Sequence, residues 1–251
     1  MTAVAVGLPT TQAATATTLV VNEVFGPTLQ GEGPSLGKRA AFLRLGGCNL
    51  HCSWCDTKYT WDASQYDLRK ENTRRSVGDV VAQLVAMEPA VVVLTGGEPL
   101  LQQRQGGWVK LLTALDDLGI DTEVETNGTQ VPDAATAALV TRFNVSPKLA
   151  HAGDPPERRL VPAALQQFSD LARAGRATLK VVVRTEADVA AAAALGGLYG
   201  WPNGSVYVMA EGTTAAQLLP RQRLLAQAAL DNGVGMTTRL HSLLWGQERG
   251  K

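Results

Sequence analysis

Cysteine is scarce. The 251 residues contain three, all between positions 48 and 55, so none is left for a disulfide elsewhere. Excess charge is missing too. Lys+Arg and Asp+Glu both number 23, and a net charge of zero argues against nucleic acid as the main ligand. No apolar run reaches the roughly 20 residues that cross a bilayer, so no membrane association is expected. The first residues lack the charged n-region and apolar core of a secretory signal, and there is no internal repeat. What the chain does have is a 45% hydrophobic fraction, enough to bury a sizeable core. The length suits one domain of α/β-barrel size rather than two small ones.

The three cysteines form one short loop, Cys48-Asn49-Leu50-His51-Cys52-Ser53-Trp54-Cys55, with C-x3-C-x2-C spacing. Three thiolates can hold three irons of a [4Fe-4S] cluster, one each, and leave the fourth iron open to a small molecule. Three other readings compete, one of them inert buried cysteines, whose packing into a single loop would be a coincidence. A zinc site would use the cysteines with His51, which must then fold sharply back beside Cys52. A closed electron-transfer cluster would want a fourth cysteine. The loop resembles that of the radical S-adenosylmethionine (SAM) enzymes. That resemblance implies a [4Fe-4S] cluster whose open iron binds SAM and cleaves it reductively to a 5′-deoxyadenosyl radical. Free thiols and an oxygen-sensitive cluster fit the cytoplasm.

Residues 1–17 are Ala/Thr-rich and uncharged, and are read as a disordered N-terminal tail. Residues 18–251 are read as a single domain. Leu19–Phe25 predicts a strand, 26–34 a Gly/Pro-punctuated loop, and Ala40–Leu45 a strand that runs into the cysteine loop. Helices near Val77–Met87, Trp108–Leu118, Ala134–Val140, Ala163–Ala174 and Ala187–Leu195 alternate with strands at Val91–Leu94, Thr122–Glu125, Phe143–Val145, Leu179–Val183 and Val206–Met209. A last long helix ends near Asn232, with Pro220 expected to break it near its start. Residues 62–75, with Arg69, Lys70, Arg74 and Arg75, read as a solvated loop, or alternatively as a dock for an acidic electron donor. The βαβα rhythm predicts a parallel sheet of about six units. Its assignment to a partial (β/α)6 TIM-like barrel, rather than a doubly wound sheet, rests on the radical SAM resemblance.

In such barrels the chemistry sits at the C-terminal strand ends. These ends carry Thr95-Gly96-Gly97-Glu98-Pro99, Glu125-Thr126-Asn127-Gly128 and Ser146-Pro147-Lys148. Paired glycines allow close backbone approach to a ligand. Each motif also reads as an ordinary turn or a solvated charge. Arg44 lies on the same strand face as Phe42. There it pairs either with a substrate carboxylate or with an internal acid. Lys180 poses the same question.

Taken together, the chain resembles the 7-carboxy-7-deazaguanine synthases over nearly its whole length after the tail. The resemblance is carried by Leu29-Gln30-Gly31-Glu32-Gly33, Phe42-Leu43-Arg44, the cysteine loop, Asp56-Thr57-Lys58-Tyr59-Thr60-Trp61-Asp62, Thr95–Pro99, Ser146–Lys148, and Arg239-Leu240-His241 with Trp245-Gly246. It implies conversion of 6-carboxy-5,6,7,8-tetrahydropterin to 7-carboxy-7-deazaguanine with loss of ammonia, on the route to deazapurines such as the queuosine base. SAM would be used catalytically and Mg2+ required. Cys48, Cys52 and Cys55 would hold the cluster. Trp54, Asp56, Gly97, Ser146, Pro147 and Lys148 would meet SAM. Leu29, Gln30, Gly31, Glu32, Arg44, Thr95 and His241 would meet the pterin, and Thr57 would ligate Mg2+. Members often carry Lys after this histidine, where Ser242 stands here. The resemblance further implies a homodimer and a flavodoxin- or ferredoxin-like reductant. The competing activity is another radical SAM reaction, such as activation of a glycyl-radical enzyme. That would require room for a protein loop rather than an enclosed pterin.

Overall fold

The structure is a computed structural model that describes residues 17–251. The expected tail, apart from Thr17, lies outside the described residues. Among the described residues nine strands form one sheet in the order β3-β1-β2-β4-β5-β6-β7-β8-β9. They are β1 (Thr18–Leu29), β2 (Arg39–Leu45), β3 (Thr73–Ser76), β4 (Val91–Gly96), β5 (Thr122–Thr126), β6 (Arg142–Val145), β7 (Ala177–Val183), β8 (Val206–Ala210) and β9 (Gly235–Thr237). From β2 through β4 to β9 every pairing is parallel, whereas β1 runs antiparallel to both β2 and β3. The main crossovers are helices α1 (Val77–Val85), α2 (Gly106–Asp117), α3 (Ala134–Leu139), α4 (Pro162–Arg173), α5 (Glu186–Leu198) and α6 (Ala215–Asp231). A short α7 (Leu240–Trp245) follows β9. Six strand–helix units thus form an open, partial (β/α)6 barrel, with β3 and β9 as its unjoined edges.

Period two along each strand sorts the side chains onto two faces. Val92, Leu94, Val124, Phe143, Val145, Leu179, Val181 and Val183 join the helices in the main core. On the concave face, Phe25, Ala40, Phe42, Val91 and Val93 make a small apolar floor, with Phe25 stacked on Phe42 at 4.9 Å between ring centroids. Burial of both faces explains why these strands read as continuous apolar runs. α1 starts at Ser76, whose hydroxyl accepts the Asp79 N–H at 3.1 Å.

Four expectations are corrected. β1 continues to Leu29 instead of ending at Phe25. One extra residue sits between Phe25 and Thr28, opposite Phe42 to Ala40, so Gly26-Pro27 forms a bulge. β3 pairs only with Thr18–Val21, so Pro27 lies where no strand needs its missing N–H. Residues 62–75 are not one loop: they hold a helical turn, Leu68–Glu71, and lead into β3. β9 and α7 were not anticipated. Pro220 does not break α6, because it lies in the second turn and deletes one hydrogen bond, to the Ala216 carbonyl, from a 17-residue helix.

Candidate active site

The cysteine loop leaves β2 and is pinned on both sides. Gly47 N–H donates to the Thr60 carbonyl at 2.9 Å, and Glu98 N–H donates to Gly47 O at 2.8 Å. His51 N–H donates to Asp154 Oδ2 at 2.7 Å, and Ser53 N–H to Ala152 O at 2.9 Å. The three thiols are free and line one cavity of about 690 Å³ at the C-terminal strand ends. Leu50 N–H points at Cys48 Sγ and Trp61 Nε1–H at Cys55 Sγ, each at 3.4 Å. Burial pushes the Cys48 thiol up to about 12 and raises Cys52 as well, so iron loading must displace their protons.

The loop suits a cluster better than a single ion. Among the described residues no three His, Cys, Asp or Glu side chains converge as ligands of one metal. Cluster thiolates need no common centre, because each holds a different iron. His51, the fourth ligand of the zinc reading, turns its ring outward, with Nδ1 at 3.7 Å from Asp154 and 3.4 Å from Arg158 Nη2.

Of the paired glycines, Gly96 ends β4 against Leu45 of β2, and Gly97 packs against this loop. A Cβ on Gly97 would stand 2.1 Å from Gly47 O and 2.9 Å from the Cys48 Cβ. Only glycine lets β4 pass so near the cluster loop. Glu98 does not line the cavity. Its carboxylate is fully buried and accepts Leu100 N–H at 3.0 Å, Thr126 Oγ1–H at 2.8 Å and Asn127 N–H at 2.7 Å, tying the β4 end to the β5 end. Burial pushes its carboxyl up to about 7, against three donors that favour the anion. At pH 8, Glu98→Gln would aim an amide NH2 or a lone carbonyl at three donors. The expected loss is about 1–3 kcal/mol of stability. A thermal midpoint at pH 8 equal to wild type would refute the strut role.

Across the sheet, register aligns polar side chains above the apolar floor. Glu23 lies opposite Arg44, and Arg44 opposite Thr95. Thr95 Oγ1 donates to Glu125 Oε2 at 2.9 Å. Arg44 Nε stands 3.4 Å from Glu23 Oε2, a long contact through one nitrogen. Both readings of Arg44 therefore hold in part: it has an internal partner and it lines the cavity.

The Gln30–Gly33 loop is anchored to the end of β9 and the segment after it. Leu240 N–H donates to Gly31 O at 2.8 Å, and Gly33 N–H to Thr237 Oγ1 at 3.1 Å. A Cβ on Gly31 would be 2.1 Å from His241 Nδ1, so the imidazole occupies the space this glycine leaves. Burial lowers the His241 pKa and favours the neutral ring.

Glu32 is gripped by two cations, Lys180 Nζ on one oxygen and Arg239 Nε on the other at 3.1 Å. Arg239 also pairs with Asp56. Burial alone would raise the Glu32 carboxyl, but Lys180 and Arg239 outweigh it and hold it far below the ordinary glutamate range. Burial likewise opposes charge on Lys180, yet Glu32 and Glu125 keep its pKa raised.

Lys148 Nζ donates to Ser146 Oγ at 2.9 Å and sits 5.5 Å from the centroid of the Trp54 ring. Thr57 heads a short helical turn without capping it through its side chain; its carbonyl accepts Thr60 N–H at 2.9 Å. The hydroxyl is 3.6 Å from Cys55 Sγ and faces the cavity. Of the residues that the resemblance assigns to cluster, SAM, pterin or Mg2+, Gly31 and Pro147 are the two that do not line the cavity. Gly31 seats His241, and Pro147 is buried between two residues that do.

A radical SAM superfamily model matches residues 43–151. The 7-carboxy-7-deazaguanine synthase of Pyrobaculum aerophilum is 38% identical over 92% of this chain and 96% of its own length. That of Hyperthermus butylicus is 37% identical over 91% and 93%. The crystal structure of QueE from Escherichia coli superposes with a TM-score of 0.66 at 26% identity, covering 89% of this chain and 95% of that one.

The chain belongs to the 7-carboxy-7-deazaguanine synthase family.

Among the cavity residues of this synthase-family chain, sequence reasoning gave Lys180 little weight and Arg239 no role of its own. Lys180 carried one signal, a lysine within the buried strand Leu179–Val183. Arg239 carried none, since its acids lie far away in sequence. Among the described residues no helix is long and apolar enough to cross a membrane.

Proposed function

We propose that this chain contracts the ring of 6-carboxy-5,6,7,8-tetrahydropterin to give 7-carboxy-7-deazaguanine and ammonia, with a [4Fe-4S] cluster, SAM and Mg2+. One observation carries the reading: the cluster thiols, Arg44, Thr95, Glu32 and His241 all line a single cavity. Bound there, the cluster and SAM supply radical chemistry at carbon. Cys48, Cys52 and Cys55 anchor the cluster. Gly97, Ser146, Lys148, Trp54 and Asp56 seat SAM, with Pro147 fixing the backbone between two of them. Leu29, Gln30, Glu32, Arg44, Thr95 and His241 hold the pterin, and Gly31 positions His241. Arg44 meets the substrate carboxylate through the part of its fork that Glu23 leaves free. Residues 18–251 act as one unit.

Thr57 gives Mg2+ one neutral oxygen. Substrate oxygens and waters would supply its other ligands, so metal and substrate would bind together. Thr57→Val should raise the Mg2+ concentration needed for half-maximal turnover by about tenfold, the size of loss seen when a metal site's supporting residues are altered, with iron content unchanged. An unaltered Mg2+ titration in a fully iron-loaded variant removes Thr57 from the metal site. The overall test is anaerobic turnover of the carboxypterin after cluster reconstitution.

The same reading extends to a homodimer in the cytoplasm, served by a flavodoxin- or ferredoxin-like donor. Exposed Arg69, Lys70 and Arg74 offer an acidic donor a basic surface. Glycyl-radical-enzyme activation is disfavoured because residues 246–251 lie along the cavity where a protein loop would enter.

A further inference from the structure

The barrel is open between its edge strands, β3 and β9. Residues 246–251, which follow α7, reach from one side of that opening to the other. On the β9 side, Gln247 Nε2 donates to Thr213 Oγ1 at 2.6 Å, just beyond β8. On the other side the Arg249 guanidinium reaches β1 and the turn before β3. Its Nε lies 3.4 Å from Glu23 Oε1, and its Nη2 donates to Asn22 Oδ1 and Glu71 Oε2, each at 3.2 Å. The same guanidinium stands 4.3 Å from the centroid of the Tyr59 ring, a cation–π contact that fixes its plane. The segment lines the cavity throughout.

The Glu23 carboxylate is divided between two arginines. Oε1 faces Arg249, while Oε2 faces Arg44 Nε at 3.4 Å. A carboxylate free of other claims pairs with a guanidinium through two parallel hydrogen bonds. If Glu23 did so, it would take two of the five Arg44 N–H donors and draw the guanidinium toward β1, away from a substrate carboxylate in the cavity. With Arg249 holding one oxygen, Glu23 can give Arg44 only a single long contact.

We propose that Arg249 is a positioning residue. It latches residues 246–251 across the open side of the barrel, and by holding one oxygen of Glu23 it keeps the Arg44 fork available to the substrate carboxylate. This rests on the reading of Arg44 as the carboxylate partner. Arg249 touches neither cysteine ligands nor the acids that grip Arg239, so its effect should fall on pterin affinity rather than on cluster or SAM.

The test uses the full, cluster-loaded chain with SAM present. Binding of 6-carboxytetrahydropterin is measured by calorimetry, alongside steady-state KM and kcat. Arg249→Gln is expected to weaken pterin binding and raise its KM about two- to fivefold, the size of a partly exposed charge interaction. SAM affinity and kcat should stay at wild-type values. Arg249→Lys should restore part of the loss, since it keeps the charge without the planar fork. In a Glu23→Gln background, where no carboxylate can capture Arg44, Arg249→Gln should have a smaller effect. Unchanged pterin affinity in Arg249→Gln overturns the proposal, and so does an undiminished loss in the Glu23→Gln background. Arg44→Lys, measured in parallel, separates two failures. If it binds pterin like wild type, the reading of Arg44 itself is wrong. If it binds weakly while Arg249→Gln does not, only the latch fails.

Discussion

Cys48→Ala, Cys52→Ala and Cys55→Ala are each expected to abolish reductive cleavage of SAM without unfolding the chain. The cavity loop is held by backbone bonds to Thr60, Glu98 and Ala152 and by the bond from His51 N–H to Asp154. None of these uses a cysteine side chain. Deleting one thiol therefore removes a ligand and little else. With only two thiolates left and no further cysteine in the chain, a four-iron cluster has no replacement ligand. Reconstituted wild type should hold about four irons and four sulfides per chain, three irons ligated by protein and one open. The variants should show unchanged far-ultraviolet dichroism, depleted iron and no 5′-deoxyadenosine. Stoichiometric zinc in a fully active wild-type preparation would overturn the assignment.

Lys180→Met should cost the fold about 3–5 kcal/mol, the usual penalty for stripping one partner from a buried ion pair. Lys180 is 3% exposed and sits between Glu32 and Glu125, 4.0 Å from the latter. Its removal leaves two carboxylates facing an uncharged side chain. For a chain of this size each kcal/mol shifts the midpoint by roughly 2–4 °C. Glu32→Gln together with Lys180→Met should cost less than the two single changes summed, because each removes the other's reason to be charged. A single variant that melts with wild type would show that the network adds nothing.

The same network fixes the response to acid. In the fold, Glu32 stays ionised far below 4.5, whereas the unfolded chain takes up a proton near 4.5. The unfolded state therefore binds more protons as pH falls below that value. This contribution to stability is complete above about 4.5 and is lost progressively below it. In Glu32→Gln the acid-dependent loss should be smaller.

What the sequence showed of all this followed how local each signal was. The cysteine loop is eight consecutive residues, and its chemistry is in its spacing. Strands such as Val91–Leu94 are buried on both faces and read as unbroken apolar runs. β3 gave no such signal. Thr73-Arg74-Arg75-Ser76 is an exposed edge strand whose only pairing is with β1, so neither burial nor alternation marks it. Gly26-Pro27 read as a loop because a bulge and a loop use the same residues, and only the partner strand tells them apart. In the site, Arg44 stood out because an arginine inside an apolar strand requires an anion. The identity of its internal partner, Glu23 across the β1–β2 pairing, became clear only once register was known. Arg239 was read only as part of a terminal motif, since Glu32 and Asp56 lie more than 180 positions before it.

The conversion assigned to this cavity removes only ammonia and is redox-neutral overall, so SAM should return unchanged after each turnover. The most direct measurement is anaerobic turnover of 6-carboxy-5,6,7,8-tetrahydropterin by the reconstituted chain with reductant and Mg2+, quantifying 7-carboxy-7-deazaguanine, ammonia, SAM and 5′-deoxyadenosine together. The expected result is equimolar deazaguanine and ammonia in large excess over the SAM consumed. Consumption of SAM to 5′-deoxyadenosine with the carboxypterin left intact would contradict it.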